Sequence, residues 1–320
     1  MKQITDTLIM VRPVNFRMNE QTAVNNYFQK STEELQAIVN RKAQDEFDQF
    51  ANQLKSVGVE VIVIDDIASL DTPDSIFPNN WVSFHENGDV ALYPMFAKNR
   101  RLERREDIFE KIELEGRFIR NFVDYTSAEL ENLFLEGTGS LILDRPNQKA
   151  YCALSPRAHE DLVIEFCEDF EYTPIIFKAY QNFNNKRLPI YHTNVMMCVA
   201  ENFSVICLDS IDDKREKKLV TDSLLADHKE IISITEEQMN NFAGNMLQVQ
   251  GKDETFLVMS LRAHQSLTSI QVATIEKYCK ILSSDLETIE NLGGGSARCM
   301  LAEVFIPQKY KESKKLKVHY

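Results

Sequence analysis

The sequence lacks paired cysteines and long apolar runs. Its six cysteines form no Cys-x-x-Cys pair and have no regular spacing, and no signal peptide or membrane-length hydrophobic stretch is evident. We therefore expect reduced thiols in a cytoplasmic protein rather than disulfides or a membrane anchor. None of the six histidines stands at metal-ligand spacing from another histidine or a cysteine, so neither a metal nor another cofactor is expected.

Basic residues are also fewer than acidic residues. The 320 residues include 36 Lys and Arg against 49 Asp and Glu, which gives a formal net charge of −13. This balance argues against nucleic acid or an anionic membrane surface as a partner, and it is compatible with a cationic substrate. With 43% hydrophobic residues, the chain can bury a sizeable core. The oligomeric state stays open, with a homodimer as one option.

The chain does contain an internal repeat. "ALSPRAHEDL" (153–162) and "VMSLRAHQSL" (258–267) share the pattern Ser-x-Arg-Ala-His-x-x-Leu. Around them, hairpin-like pairs of apolar runs are followed by a helical stretch and another short apolar run. These units start at nearly even spacing, at residues 80, 140, 194, 245 and 299.

The N-terminal segments supply what the fifth unit lacks. Residues 6–13 and 59–65 are predicted strands, and a long helix is predicted over about 20–57. Joining both termini in one unit would close a ring and remove exposed sheet edges. We therefore predict an α/β fold, a five-bladed propeller of ββαβ units with pseudo-fivefold symmetry. Residues 1–309 would form this single catalytic domain, and 310–320 a basic tail.

Such a ring would bring distant polar residues together at its axis. Three glycines (293–295) precede Cys299, and glycine allows a tight bend and close approach of a ligand. A cysteine reacts as its thiolate, a histidine can transfer protons, and a carboxylate can hold a substrate group or orient the histidine. We therefore predict a catalytic set of Cys299, His192 and Glu136. Taken singly, each has a structural alternative: a core cysteine, a hydrogen-bonded core histidine and a turn-capping carboxylate.

These residues resemble the motifs of the guanidine-modifying pentein superfamily, which includes arginine deiminase, dimethylarginine hydrolase and the amidinotransferases. The resemblance covers essentially the whole chain. It implies a hydrolase that forms a covalent intermediate on a cysteine and acts on C–N bonds of a small guanidino or ureido amino acid. The matching positions are Asp74, Phe77, Asn80, Glu136, Gly137, Gly139, His192, Asn194 and Cys299, with Ser155 and Arg157 in a Ser-x-Arg motif.

Two segments, "RPVNFRMNEQTAVNNYFQ" (12–29) and "FAGNML" (242–247), resemble the branch named for citrulline utilisation. A guanidinium is best held by paired carboxylates, whereas an amide can meet either edge of a neutral ureido group. Where relatives have guanidinium-binding acids, this chain has Asn79, Asn80, Ser140 and Asn194. We therefore expect citrulline to be hydrolysed to ornithine, ammonia and carbon dioxide. Arg157 would bind the α-carboxylate and Asp74 the α-ammonium.

Other functions remain open at this point. The same cysteine intermediate could pass to an amine, as in an amidinotransferase, or the substrate could be arginine or dimethylarginine. A non-catalytic binding protein on the same fold is a further alternative. The charged stretch 98–116 is interpreted as a solvated amphipathic surface.

Overall fold

Short strands and helices alternate along the chain. A computed structural model describes residues 1–308, so the basic tail predicted at 310–320 lies outside the described residues. The strands are β1 (Thr7–Arg12), β2 (Glu60–Asp65), β3 (Val82–Phe84), β4 (Asp89–Leu92), β5 (Asn121–Asp124), β6 (Leu141–Asp144), β7 (Lys149–Ala153), β8 (Thr173–Phe177), β9 (Tyr180–Phe183), β10 (Lys186–Pro189), β11 (Met197–Val199), β12 (Phe203–Ile206), β13 (Glu230–Ser233), β14 (Leu247–Gln250), β15 (Thr255–Ser260), β16 (Lys280–Ser284) and β17 (Ala302–Glu303). The α-helices are α1 (Glu20–Ala23), α2 (Gln36–Ser56), α3 (Glu106–Leu114), α4 (Gly137–Ser140), α5 (Glu160–Asp169), α6 (Lys214–Ala226), α7 (Glu236–Asn240), α8 (Leu261–Ser266), α9 (Ser269–Ile275) and α10 (Glu287–Gly293).

Within residues 1–308, five three-stranded sheets share one plan. In each sheet an antiparallel pair is extended by a third strand that runs parallel to the middle one. The sheets are β17-β1-β2, β3-β4-β5, β6-β7-β8, β11-β12-β13 and β14-β15-β16. A helical crossover precedes each third strand, as parallel pairing requires. The hairpins predicted from the repeat are therefore confirmed in a mixed α/β fold of small sheets.

The two ends of the described chain share one sheet. Strand β17 pairs antiparallel with β1, with Leu8 opposite Glu303 and Ile9 opposite Ala302. Strand β2 joins β1 in parallel. This pairing confirms the prediction that N-terminal segments complete the last unit. The separate hairpin of β9 and β10 was not predicted.

The predicted helix over 20–57 is wrong in its first half. Helix α1 ends after one turn, residues 24–35 are irregular, and α2 begins only at Gln36. In the irregular part, Asn25 accepts hydrogen bonds from Arg157, and Asn26 donates to the carbonyl of Gly293. Oδ1 of Asn26 also accepts from the backbone N–H of Phe28 at 3.2 Å, and such a local side-chain bond competes with helix formation.

Helix α2 is amphipathic and helps to place the glycine-rich segment. It packs against α10 and β16, and α10 leads directly into that segment. The buried side chains of α2 are Val39, Ala43, Phe47, Phe50, Ala51 and Leu54. Their spacing of three, four and one residues forms a single apolar stripe. Among residues 1–308, no helix has both the length and the apolar character that crossing a membrane requires.

Four short helical segments directly precede strands β3, β6, β11 and β17. They are the 3₁₀ helices Pro78–Asn80, Thr193–Val195 and Ala297–Met300, and the single turn α4. Helix α4 contacts the first two, and Pro78–Asn80 also contacts Ala297–Met300. The fold therefore brings the starts of distant sheets into one region.

Candidate active site

A small cavity lies where these helical segments meet. Among its lining residues are five that the sequence predicted, namely Asp74, Asn80, Arg157, His192 and Cys299. Its volume of about 10 Å³ is about the space that one water molecule requires. An amino-acid substrate is much larger, so the segments around the cavity must move to admit one.

The sulfur of Cys299 is buried and faces two amide groups. Its Sγ accepts hydrogen bonds from Nδ2 of Asn194 at 3.3 Å and from Nδ2 of Asn245 at 3.2 Å. The Oδ1 atom of Asn245 accepts from the backbone N–H of Arg298 at 3.0 Å, which fixes the direction of its amide. The two amides therefore fix the position of the sulfur between Asn194 and Asn245. Asn245 was predicted as a unit start but was given no role in the site.

The three glycines ahead of Cys299 occupy positions where a side chain would clash or strain the backbone. A Cβ on Gly293 or Gly295 would lie 2.7 or 2.9 Å from the ring of Phe77, and Gly294 has a φ of +66°. The carbonyl of Gly294 accepts a hydrogen bond from Oη of Tyr191 at 2.5 Å. Larger side chains would push the loop and its cysteine away from the cavity. The glycines therefore allow the close approach that the sequence suggested.

His192 and Glu136 form a buried pair. Nε2 of His192 lies 2.7 Å from Oε2 of Glu136, and Oε1 of Glu136 accepts from the backbone N–H of Phe96 at 3.0 Å. Burial pushes the pKa of Glu136 upward, but Arg157, His192 and Arg100 outweigh it and lower this pKa below its usual range. Burial lowers the pKa of His192 to about 4, although Glu136 acts in the opposite direction. The pair is thus a carboxylate and a neutral imidazole, with the proton on Nε2 and the lone pair on Nδ1.

Asp74 has one oxygen in use and one available. Its Oδ2 accepts from Nδ2 of Asn19 at 2.8 Å and from Oγ1 of Thr22 at 3.2 Å. Its Oδ1 has no hydrogen-bond partner within the described part of the chain. Burial raises the pKa of Asp74, and Arg100 is the largest opposing influence. An available carboxylate oxygen in a buried cavity is suited to a substrate cation.

Arg157 is occupied by groups of the chain itself. Its Nε donates to Oδ1 of Asn25 at 2.9 Å, its Nη2 donates to the carbonyl of Thr22 at 3.0 Å, and its Nη1 lies 3.4 Å from Oε2 of Glu136. The guanidinium also lies over the ring of Tyr191, 4.9 Å from its centre. For Arg157 to bind a substrate carboxylate, the segment that carries Thr22 and Asn25 must shift.

The predicted asparagines and serine differ in their availability. Asn80 donates from Nδ2 to Oδ1 of Asn79 and accepts at Oδ1 from Arg100, so its amide is engaged. Ser140 does not line the cavity, and its hydroxyl donates to the carbonyl of Arg157. Within residues 1–308, Nδ2 of Asn79 and Oδ1 of Asn194 have no hydrogen-bond partner. Only Asn194 combines such an open position with a contact to the reactive sulfur.

Comparison with known families agrees with this arrangement. The sequence model of the family described as N,N dimethylarginine dimethylhydrolase, eukaryotic, matches residues 12–306. The chain belongs to this family. It is therefore a pentein of the guanidino-modifying superfamily and a hydrolase that acts on C–N bonds other than peptide bonds, as the sequence predicted. No curated protein sequence matches the chain.

Solved structures share the fold of this dimethylhydrolase family member. The N-terminal domain of ArgZ, an arginine dihydrolase from the ornithine-ammonia cycle in cyanobacteria, has a TM-score of 0.68 and 15% identity, with 93% of this chain and 97% of that chain covered. The complex of AgrE with ornithine and NAD+ has a TM-score of 0.72 and 16% identity, with 95% of this chain and 40% of the AgrE chain covered. A dimethylarginine dimethylaminohydrolase adduct with S-methyl-L-thiocitrulline has a TM-score of 0.63 and 13% identity, with 94% of this chain and 100% of that chain covered. The chain thus spans less than half of full-length ArgZ and AgrE.

The candidate site of this dimethylhydrolase family member includes a buried arginine, Arg100, that was not predicted from the sequence. The stretch 98–116 was interpreted as a solvated surface, but Arg100 lines the cavity and is 1% exposed. Glu103, 3% exposed, accepts from Arg100 at both carboxylate oxygens, each at 2.9 Å. The segment Lys98–Glu103 is a 3₁₀ helix. The apolar positions of this stretch predict an amphipathic surface helix, and no pattern among its charged residues indicates that Arg100 and Glu103 turn inward.

The protonation state of His192 yields a pH prediction. Because burial dominates, nitrogen NMR of the labelled imidazole in a Cys299→Ala background should give a pKa of about 4. The imidazole is then neutral at neutral pH and becomes protonated only as the pH falls through that value. Glu136→Gln removes a group that raises this pKa, so the midpoint should move lower still. A midpoint near the unperturbed value of about 6.5 in both proteins would contradict the buried pair.

Gly139→Ala should reduce activity through steric pressure. A Cβ at Gly139 would contact Nδ2 of Asn80 and would lie 2.9 Å from Nδ1 of His192, so one of them must move. Misplacing a catalytic group by a fraction of an ångström lowers kcat, here by roughly 10- to 100-fold. Gly88→Ala is the control for stability alone, because Gly88 has a φ of +89° in a hairpin away from the cavity. Equal kcat losses in the two variants, at matched melting temperatures, would show that the position acts only through folding.

Proposed function

We propose that this protein hydrolyses citrulline to ornithine, ammonia and carbon dioxide through a covalent intermediate on Cys299. The observation that carries the proposal is the pair of amides, from Asn194 and Asn245, that donate to the sulfur. At this position a guanidinium substrate would call for carboxylates, whereas amides suit the oxygen and nitrogens of a ureido group.

The first chemical step is attack of Cys299 on the ureido carbon. The neutral imidazole of His192 takes the thiol proton at Nδ1, and the Glu136 carboxylate stabilises the imidazolium. Negative charge then develops on the ureido oxygen. The amides of Asn194 and Asn245 lie next to the sulfur and can donate to that oxygen, and each good donor contributes about 3 kcal/mol.

Proton return completes the reaction. His192 donates its proton to the departing nitrogen as the C–N bond breaks, which leaves a thiocarbamate on Cys299. His192 then accepts a proton from water as the water attacks the thiocarbamate carbon, the C–S bond breaks, and the sulfur of Cys299 takes that proton back from His192. The carbamic acid that is released breaks its remaining C–N bond and yields carbon dioxide and whichever of ornithine and ammonia did not leave first. One water is consumed in total, and the products are ornithine, ammonia and carbon dioxide. Both oxygens of Glu136 are already engaged, by His192 and Arg157 on one side and by the backbone N–H of Phe96 on the other, which favours its role in orienting His192 over direct contact with substrate.

The ends of the substrate have complementary partners. The available Oδ1 of Asp74 would accept from the α-ammonium, and Arg157 would bind the α-carboxylate with its planar fork. Carboxylate binding would replace the contacts of Arg157 with Asn25 and Thr22. The open Oδ1 of Asn194 would accept from a ureido N–H, while Asn79 and Asn80 would support this edge through Arg100.

The proposed site depends on a proposed architecture. We infer that the five sheets are blades of a pseudo-fivefold propeller in a single catalytic domain, predicted over 1–309. The common strand plan and the shared sheet of the two termini support this arrangement. It places the start of every inner strand near one axis. Cytoplasmic location and a homodimer remain predictions from the sequence.

Hydrolysis of arginine or dimethylarginine is the second candidate. The family description names dimethylarginine, and ArgZ is an arginine dihydrolase. Both substrates are cations. This chain has uncharged residues where relatives have guanidinium-binding acids, at Asn79, Asn80, Ser140 and Asn194, and this difference argues against a cationic substrate. Amidinotransfer uses the same cysteine intermediate and differs only in its acceptor.

Product analysis with purified protein tests the proposal. Citrulline, arginine, dimethylarginine and agmatine are supplied separately, each with and without added glycine. We expect citrulline to be consumed with equal amounts of ornithine and ammonia formed, and we expect glycine to have no effect. Higher kcat/KM for arginine or dimethylarginine would contradict the substrate. A new guanidine product on addition of glycine would establish transfer instead.

A further inference from the structure

We infer that Glu290 is a positioning residue for the nucleophile Cys299 and that it acts through the hydroxyl of Ser296. This inference rests on the proposed function in taking Cys299 as the nucleophile, but it does not depend on which amino acid is hydrolysed. Glu290 lies in α10 and Ser296 directly follows the three glycines. Neither is among the residues that line the cavity, and no motif of the sequence assigns Glu290 a role.

A buried hydrogen bond joins the loop of the nucleophile to α10. Oγ of Ser296 donates to Oε1 of Glu290 at 2.6 Å, and the backbone N–H of Cys299 donates to the carbonyl of Ser296 at 3.0 Å. Ser296 is 0% exposed and Glu290 is 1% exposed, so water does not compete for this bond. A hydroxyl that donates to a carboxylate makes a short and strong hydrogen bond. The position of Cys299 therefore depends on that of Glu290 through a single intervening residue.

Other contacts of this loop must change when a substrate binds. Three successive glycines give the loop backbone unusual conformational freedom. The carbonyl of Gly293 accepts from Nδ2 of Asn26 at 3.3 Å and from Nε2 of Gln29 at 3.1 Å. Both donors belong to the irregular segment 24–35, part of which must shift to admit a substrate. Glu290 lies outside that segment, so its bond to the loop persists while the segment moves.

The second copy of the repeated Ser-x-Arg-Ala-His signature supports Glu290. Nε of Arg262, in that copy, lies 3.2 Å from Oε2 of Glu290. In the first copy, Nη1 of Arg157 lies 3.4 Å from Oε2 of Glu136, which bonds to His192. Each copy therefore places an arginine against a buried glutamate. One of these glutamates orients the catalytic histidine, and the other holds the loop of the catalytic cysteine.

The charge of Glu290 changes near neutral pH. Burial raises its pKa to about 7, and the hydroxyls of Ser260 and Ser296 and the charge of Arg262 oppose this rise. Glu46 of α2, the second charged group that acts on it, raises the pKa further. Glu290 is therefore mostly a neutral acid below this pH and mostly a carboxylate above it. Because the carboxylate is the stronger acceptor, its bond to Ser296 strengthens as the pH rises through about 7.

Glu290→Gln tests this inference through the pH dependence of kcat. Glutamine accepts from Ser296 much as a neutral acid does, but it cannot become charged. We expect wild-type kcat to exceed that of the variant by at most about twofold at about pH 6 and by about tenfold at about pH 8, with KM similar in both proteins. Glu287→Gln is the matched control, because Glu287 lies in the same helix and is exposed. Its kcat should equal that of the wild type at both pH values, and a ratio of wild type to Glu290→Gln that is the same at both would overturn the inference.

Two further variants separate positioning from folding, which melting temperatures monitor. Ser296→Ala should lower kcat about tenfold at about pH 8. Adding Glu290→Gln should lower it by no more than about twofold further, because both changes remove the same bond. Arg262→Gln removes a charge that lowers the pKa of Glu290, so the rise of kcat with pH should move to higher pH. Additive losses in the double variant, or an unmoved rise in the folded Arg262→Gln protein, would overturn the inference.

The proposed substrate and this inference can fail separately. A wild-type protein that does not consume citrulline refutes the proposed substrate. The role of the bond between Ser296 and Glu290 is then tested without turnover, by the rate at which a haloacetamidine labels Cys299. At about pH 8 this rate should fall about tenfold in Ser296→Ala and should be unchanged in Glu287→Gln. Equal labelling rates in wild type and Ser296→Ala would contradict the inference.

Discussion

Cys299→Ala should lower turnover of citrulline by at least about 10⁴-fold, because a covalent pathway cannot proceed without its nucleophile. The protein should still fold, since the change removes one small buried atom, and it should still bind citrulline. Steady-state assay and calorimetry measure the two effects. Retained turnover within about tenfold of wild type would exclude the covalent step.

A matched cysteine distinguishes reactivity from packing. Cys279 is also buried, and burial raises its pKa to about 12. Cys279→Ala should therefore keep wild-type activity and should keep stoichiometric labelling by a haloacetamidine, whereas Cys299→Ala should lose the label. Labelling of the Cys299 variant at the same rate would place the reactive thiol elsewhere.

His192→Gln should lower kcat by roughly 10²- to 10⁴-fold, the usual contribution of a positioned acid-base group. The glutamine can keep a hydrogen bond to Glu136 but cannot carry a proton between the thiol, the leaving nitrogen and water. Binding of citrulline to this variant should change little, so the loss appears in kcat rather than KM.

The repeat offers a control for that substitution. His264 belongs to the repeated Ser-x-Arg-Ala-His signature, and its Nδ1 lies 3.3 Å from the hydroxyl of Ser283, away from the cavity. His264→Gln should retain nearly full activity. Equal losses in the two histidine variants would point to a general effect on folding and against proton transfer by His192.

Much of the fold could be predicted because local sequence patterns determine it. Each inner hairpin consists of two apolar runs around a polar turn, and the shared Ser-x-Arg-Ala-His signature marks equivalent units. Equivalence then predicted that residues as distant as Asn80, Asn194 and Cys299 lie close together. Nδ2 of Asn194 contacts the sulfur of Cys299, and Asn80 lines the same cavity as Cys299. A break such as that at 24–35 depends on Asn25 and Asn26 bonding to partners far away in the sequence, which no local pattern records.

The site was predictable where a motif identifies the residue and not elsewhere. The pair of His192 and Glu136 and the position of Cys299 follow from motifs. Arg100 and Glu103 do not, because their burial depends on how a charged 3₁₀ helix packs against Asn80. Asn245 was predicted as the start of a repeat unit. The hydrogen bond from its side-chain amide to the sulfur of Cys299 could have been predicted from the same symmetry.

NMR of the ureido carbon in isotope-labelled citrulline during turnover tests the proposed hydrolysis most directly. We expect the label to appear as bicarbonate while one ornithine and one ammonia form for each citrulline consumed, and we expect Cys299→Ala to leave the label in citrulline. Label that stays in citrulline with the wild-type protein, or that enters another organic product, would contradict the hydrolysis of citrulline at this site.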